Sequence, residues 1–284
     1  MRIHSGLVAS LSLAFTLLFA PAVFSAPAAD FGPEVKVSSP QGGFVGRMQV
    51  DPLHGEVGTP FTVSAEGLPP NEEFQLVWST AEGHWKVTES EYNGREFVRV
   101  DYEMARVTTD ADGRLEATFE TPEDFGFLHD IILQQGDRQF TRVAYSIDMS
   151  IEMSPKSGPV GTPINFDVKG IGYRALERSW NVLYDNNFTG WASSITTHGS
   201  ANFTIPATGH IGDHIVEVLH GEFGSPYRNP QQSPSPDRPR FAMTFTVTPG
   251  EPVLPPPVKA QEQRKVRLAP PVGELISSPR FSGV

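Results

Sequence analysis

Apolar and polar side chains alternate along most of this chain. Met48 and Val50, Phe61 and Val63, and Phe74, Leu76 and Trp78 are each spaced two apart. The pattern resumes at Met149, Ile151 and Met153, at Ile164, Phe166 and Val168, and at Phe241, Met243, Phe245 and Val247. A spacing of two places such side chains on one face of a strand, and no stretch shows the ~3.6-residue period of an amphipathic helix. Gly67-Leu68-Pro69-Pro70-Asn71, Asn93-Gly94, Asp112-Gly113 and Thr197-His198-Gly199 interrupt the runs as turns. Short strands parted by such turns predict an all-β chain built as sandwiches.

The pattern occurs twice. Pro52-x-x-Gly55-x-Val57-Gly58-Thr59-Pro60 returns as Pro155-x-x-Gly158-x-Val160-Gly161-Thr162-Pro163, and at the same offset Met48 and Val50 match Ile151 and Met153. After a short insertion, Phe74-x-Leu76-Val77-Trp78 matches Trp180-x-Val182-Leu183-Tyr184, and Trp85 matches Trp191. A period near ~100 residues exceeds any solenoid repeat, so the unit is a whole domain present in two copies. Boundaries follow at 29–148 for the first sandwich and 149–248 for the second. Val143-Ala144-Tyr145-Ser146-Ile147 runs into Met149-Ser150-Ile151 with no Gly or Pro between, which predicts a stiff end-to-end joint. Residues 249–284 carry Pro252, Pro255, Pro256 and Pro257 and then a polar stretch, so a disordered tail or tether is expected there.

Val-Gly-Thr-Pro before an apolar strand, Gly67-Leu68-Pro69-Pro70-Asn71 before Phe74-x-Leu76-x-Trp78, and Asp112-Gly113 before Leu115 together resemble the immunoglobulin-like modules of exported bacterial proteins, of the IPT/TIG or bacterial Ig-like type. The resemblance covers about residues 44–248. It implies two tandem immunoglobulin-like β-sandwiches and a role as spacer, adhesion unit or accessory domain. A fold alone does not carry a function.

Composition adds an address. Met1-Arg2 followed by the apolar run Leu7 to Phe24, with small residues near 23–28, reads as a signal peptide over 1–28. Ser10, Ser12 and Pro21 interrupt the run and speak against a retained anchor, and no later segment is apolar enough to cross a bilayer. The chain has no cysteine, so it has neither a lipoprotein anchor nor disulfides, and a secreted or periplasmic protein of bacterial origin is expected. Net charge is −11, and residues 66–130 hold 16 Asp plus Glu against 5 Lys plus Arg. Such a surface disfavours nucleic acid and anionic membranes. The four tryptophans hold equivalent places in the repeat and are expected to serve mainly in the cores, which speaks against a sugar platform.

No enzyme motif is present: there is no Gly-x-Ser-x-Gly elbow, phosphate-binding loop or His-Glu-x-x-His pair. The expectation is a non-catalytic binding, scaffold or adhesion module of the cell envelope with a protein or cell-surface partner. The strongest pointer is a difference between the copies. Gln134-Gln135-Gly136-Asp137-Arg138 joins the last strands of the first, whereas a proline-rich loop from Gly221 to Pro239 does so in the second. A loop of that length is either functional or flexible, and Phe223, Tyr227, Arg228 and Asn229 are its candidate partner-binding residues. The alternative is an accessory Cu or Zn protein using His198, His210, His214 and His220. Against it, His214 aligns with His129, as a structural histidine would. Asp110-Ala111-Asp112-Gly113 carries part of a Ca²⁺ loop pattern but reads better as a turn. In residues 86–107 a hairpin is expected around Asn93-Gly94, its acidic side chains guarding a sheet edge.

Overall fold

The computed structural model describes residues 31–37, 42–175, 177–221 and 240–254. The signal segment, the stretch 222–239 and the tail from 255 lie outside the described residues, so the expectations placed on them stay with the sequence.

The first eight strands are β1 (Arg47–Asp51), β2 (His54–Gly55), β3 (Pro60–Glu66), β4 (Glu73–Thr88), β5 (Glu91–Thr108), β6 (Leu115–Glu120), β7 (Phe127–Gln135) and β8 (Arg138–Ile147). They form a three-stranded sheet in the order β1-β3-β6 and a five-stranded sheet in the order β2-β8-β7-β4-β5. The next eight are β9 (Ser150–Ser154), β10 (Ser157–Gly158), β11 (Pro163–Lys169), β12 (Trp180–Tyr184), β13 (Asn187–Ala192), β14 (Ala201–Pro206), β15 (Gly212–His220) and β16 (Arg240–Val247). They repeat the plan as β14-β11-β9 and β10-β16-β15-β12-β13. The described residues are all-β, two immunoglobulin-like sandwiches in series.

Alternation builds both cores. Phe61, Val63, Leu76, Trp78, Ile131, Leu133 and Tyr145 fill the first, and Ile164, Phe166, Val168, Trp180, Val216, Val218 and Phe245 fill the second. Truncating any of the aromatic members to alanine is expected to cost ~3–5 kcal/mol. The repeat extends to single backbone bonds. Leu68 N–H donates to the Gly113 carbonyl as Ile171 N–H does to Gly199, and Gly58 N–H donates to Thr121 as Gly161 N–H does to Ala207. The short strands β2 and β10 each pair in parallel with the last strand of their half.

The halves differ at the β4–β5 hairpin. Its strands remain paired from Glu73↔Thr108 out to Thr88↔Glu91, whereas β7 accompanies β4 only along Gln75–Trp78. The remainder is an arm that leaves the first sandwich. The arm reverses at Glu89 and Ser90, both with left-handed backbones (φ 50° and 71°). That pair of positive φ values is what a two-residue hairpin turn requires. Asn93-Gly94 is not the turn. It sits in β5 where the register shifts between Trp85 and Val87, so its extra residues form a bulge on the returning strand.

Candidate functional site

Between β8 and β9 lie only Asp148 and Met149, and the contact between halves is built mainly by other segments. In the turn before β14, His198 has a left-handed backbone and Gly199 follows at φ 88°. A Cβ on Gly199 would lie 2.2 Å from the Asp124 carbonyl oxygen, so glycine alone lets this turn meet the first half. Gly126 N–H donates to the Ile171 carbonyl across the junction, and the Arg174 guanidinium donates to the Leu128 carbonyl. Ser200 Oγ donates to Glu123, which also pairs with Lys169.

At the centre is Asp124, with no side-chain exposure. One carboxylate oxygen accepts the Trp78 indole N–H at 2.7 Å, and the other accepts the Phe125 N–H at 2.8 Å. His129 stacks on Trp78 with ring centres 4.5 Å apart, and its Nδ1 lies 3.7 Å from the carboxylate. From the second half, His198 places Nδ1 3.5 Å from Asp124 and Nε2 3.5 Å from Glu82. Glu82 accepts a 2.6 Å hydrogen bond from the Tyr102 hydroxyl, and Phe31 stacks on Tyr102. Burial drives the Asp124 carboxyl upward, but His198, His129 and the Trp78 N–H outweigh it and hold it below the usual carboxylate range. The Asp124 contact lifts His198 above the ordinary histidine value despite opposing burial, with Glu82 adding to the effect.

The arm forms the outer part of the junction. Gly83 and Phe97 face the second half: a Cβ on Gly83 would lie 2.0 Å from the Ile195 carbonyl oxygen, and Phe97 packs on Tyr173. Arg95 donates to the hydroxyls of Ser193 and Ser179 at 2.6 and 3.0 Å and lies 5.6 Å from the Trp191 ring centre. Trp85 is paired with Arg95 across the hairpin, and its ring touches Tyr92 at 5.6 Å.

These positions correct the expectation for tryptophan. Trp78 and Trp180 are buried, but Trp85 and Trp191 are 52 % and 45 % exposed. Trp85 lies on the overhanging arm, beyond the reach of the opposing sheet, and Trp191 lies on the edge strand β13. Tyr92 and Val87, beside Trp85 on the arm, are exposed as well, and Arg95 lies between this group and Trp191.

The four second-half histidines are dispersed. His198 is in the junction, and His220 packs at the end of β15 against Trp180 and Phe127. At the opposite end of β15, His214 donates through Nδ1 to Asp185 and through Nε2 to the His210 carbonyl, while the His210 ring sits 4.8 Å away. Among the described residues no group of three or more His, Asp or Glu is arranged to hold a metal ion. Asp110 accepts from the N–H groups of Asp112 and Arg114, which makes 110–113 a side-chain-capped turn. Phe223, Tyr227, Arg228 and Asn229 lie outside the described residues. The stretch that carries them leaves from Gly221, whose N–H donates to the Ser179 carbonyl beside Arg95. No helix of the described residues is long and apolar enough to cross a membrane.

No protein-family model and no curated protein matches the sequence. Among solved structures the chain is similar to the adhesin InvE of Yersinia pseudotuberculosis at 12 % identity, covering 71 % of this chain and 59 % of that one, with a TM-score of 0.28. It is also similar to the fibronectin(III)-like modules of Clostridium thermocellum CbhA (13 % identity, 71 % and 94 % covered, TM-score 0.20). A two-domain fibronectin type-III segment of chicken tenascin stands at 10 % identity, 71 % and 98 % covered, and a TM-score of 0.25. The fold assignment rests on the sheet order and the two cores.

Proposed function

We propose that this protein is an exported, non-catalytic binding or scaffold module of the cell envelope. It holds two immunoglobulin-like sandwiches at a fixed angle and presents contacts to a protein or surface partner from one side of their junction. The observation that supports this reading is the junction itself. Asp124, Arg95 and the paired glycine contacts tie the halves together, while Trp85, Tyr92 and Trp191 are left exposed just outside. The proline-rich stretch with Phe223, Tyr227, Arg228 and Asn229 starts from the same place, at Gly221. Exposed aromatic side chains grouped in this way are among the residue types that dominate binding surfaces.

The test is a crosslinked pull-down from the native envelope fraction with three proteins. These are the mature chain, a version with residues 222–238 replaced by a short Gly-Ser turn, and a Trp85→Ser, Trp191→Ser double variant. Capture by the mature chain, lost in either variant while melting temperatures agree, is the expected outcome. Equal capture by all three rejects this face.

A further inference from the structure

Among the described residues, His198 is the one titratable side chain of the second half placed between two carboxylates of the first. Glu82 of β4 and Asp124 of the loop before β7 each lie 3.5 Å from a different ring nitrogen. At that distance the contacts are ionic rather than short hydrogen bonds, so their strength depends on the charge of the ring. The remaining surroundings are Tyr102 of β5, bonded to Glu82, with Glu34 beside it, and His129 of β7 behind Asp124. The rings of Phe31 and Phe125 flank His198. Glu123 is engaged by Lys169 and Ser200.

Each carboxylate has donors in its own half: Glu82 has the Tyr102 hydroxyl, and Asp124 has the Trp78 indole and the Phe125 N–H. His198 is therefore not needed to satisfy either sandwich. What it adds is a charge link between them. The ring is 30 % exposed, so water reaches it to exchange the proton.

We propose that His198 is a proton-operated latch of the junction, bridging Glu82 and Asp124 when its ring carries both protons and loosening the seat of the second sandwich on the first when one is lost, while the Arg95, Gly126 and Glu123 contacts keep the halves together. This rests on the fixed-angle scaffold reading and adds a control to it. His198 is held above its ordinary 6.5 by Asp124 first and Glu82 second. The link is therefore complete below that value and is lost as pH rises through the raised one. On the acid side it persists until Asp124 protonates, below 3.8.

The chain has no cysteine, so Glu116→Cys in the first half and Asn202→Cys in the second, both exposed, give a clean pair of spin-label sites. Pulsed dipolar distance distributions from pH 5 to 9 are expected to be narrow in acid, with loss of the narrow component as pH rises and a midpoint above 6.5. In His198→Gln the pH dependence is expected to vanish, the distribution staying as broad at pH 5 as at pH 9, with a melting temperature that matches the native chain's at pH 9. In Glu82→Gln, which keeps an acceptor for Tyr102, the midpoint is expected to shift downward. A native distribution narrow at every pH overturns the latch and leaves the scaffold reading standing. One broad at every pH overturns both. A pH-dependent change in width that persists in His198→Gln, or a midpoint unmoved in Glu82→Gln, assigns the response elsewhere and overturns the latch.

Discussion

His129 and His214 hold the same position in their sandwiches, and each directs Nε2 at the carbonyl four residues earlier, Phe125 and His210. Each also stacks on the aromatic that the repeat sets opposite it, Trp78 or Tyr184. His214 donates from both nitrogens, which only the doubly protonated ring can do. The Asp185 contact first, and the His210 carbonyl second, raise it above 6.5. A raised folded value means that this stability is fully present below 6.5 and is lost as pH rises through the raised one. Asp185 acts in the other direction. Despite the opposing pull of desolvation, the His214 bond holds its carboxyl below 3.8, so its contribution is lost as pH falls through that lowered value. Urea denaturation between pH 5 and 9 is expected to show stability declining with pH in the native chain, and His214→Gln is expected to flatten the decline. Trp78→Phe removes a donor from a carboxylate with no exposure, and is expected to cost ~1–3 kcal/mol in the same assay.

The arm and the Thr197–Ser200 turn are the elements that make one body of two sandwiches. Gly199→Ala puts a Cβ against the Asp124 carbonyl and strains a left-handed backbone, at an expected cost of ~1–3 kcal/mol read by denaturation. The strands were legible because period two is local: the runs at Phe61–Val63, Phe74–Trp78 and Phe241–Val247 all lie in strands. The repeat likewise supplied the equivalent turns and the pairing of His214 with His129. The arm was legible only as an insertion. Its turn was misplaced because Asn93-Gly94 carries the strongest local signal for a hairpin, while Glu89-Ser90 carries almost none and takes its shape from the strand register. The exposure of Trp85 follows from β4 outrunning β7, a length difference that no side-chain pattern records. His198 drew notice only as one of several histidines. Its partners Glu82 and Asp124 are over 70 positions away and acquire meaning only through the contact between halves.

At the scale of the molecule, two sandwiches each with its own core meet at a seam that combines the buried Asp124 with aromatic contacts from Phe97, Phe125 and Phe127, and most of the acidic excess of the chain falls in the half that supplies the arm. The strip from Phe31 to Lys36 runs beside β5, with Val35 N–H donating to Asp101 and Glu103 N–H to Pro33. It covers part of an edge that acidic side chains alone were expected to guard. The second sandwich supplies the surface on which the arm rests, through Ile195, Tyr173 and the two serines that hold Arg95. A fragment ending at residue 148 is expected to keep its sandwich by circular dichroism, yet to be cut by protease between residues 82 and 98 at sites protected in the whole chain. The chain is made from its N-terminus, so the first sandwich is complete before the support for its own arm has been synthesised. For that interval Phe97 and the Asp124 pocket stand open to water and to chaperones, and closure waits for the last strand of the second half.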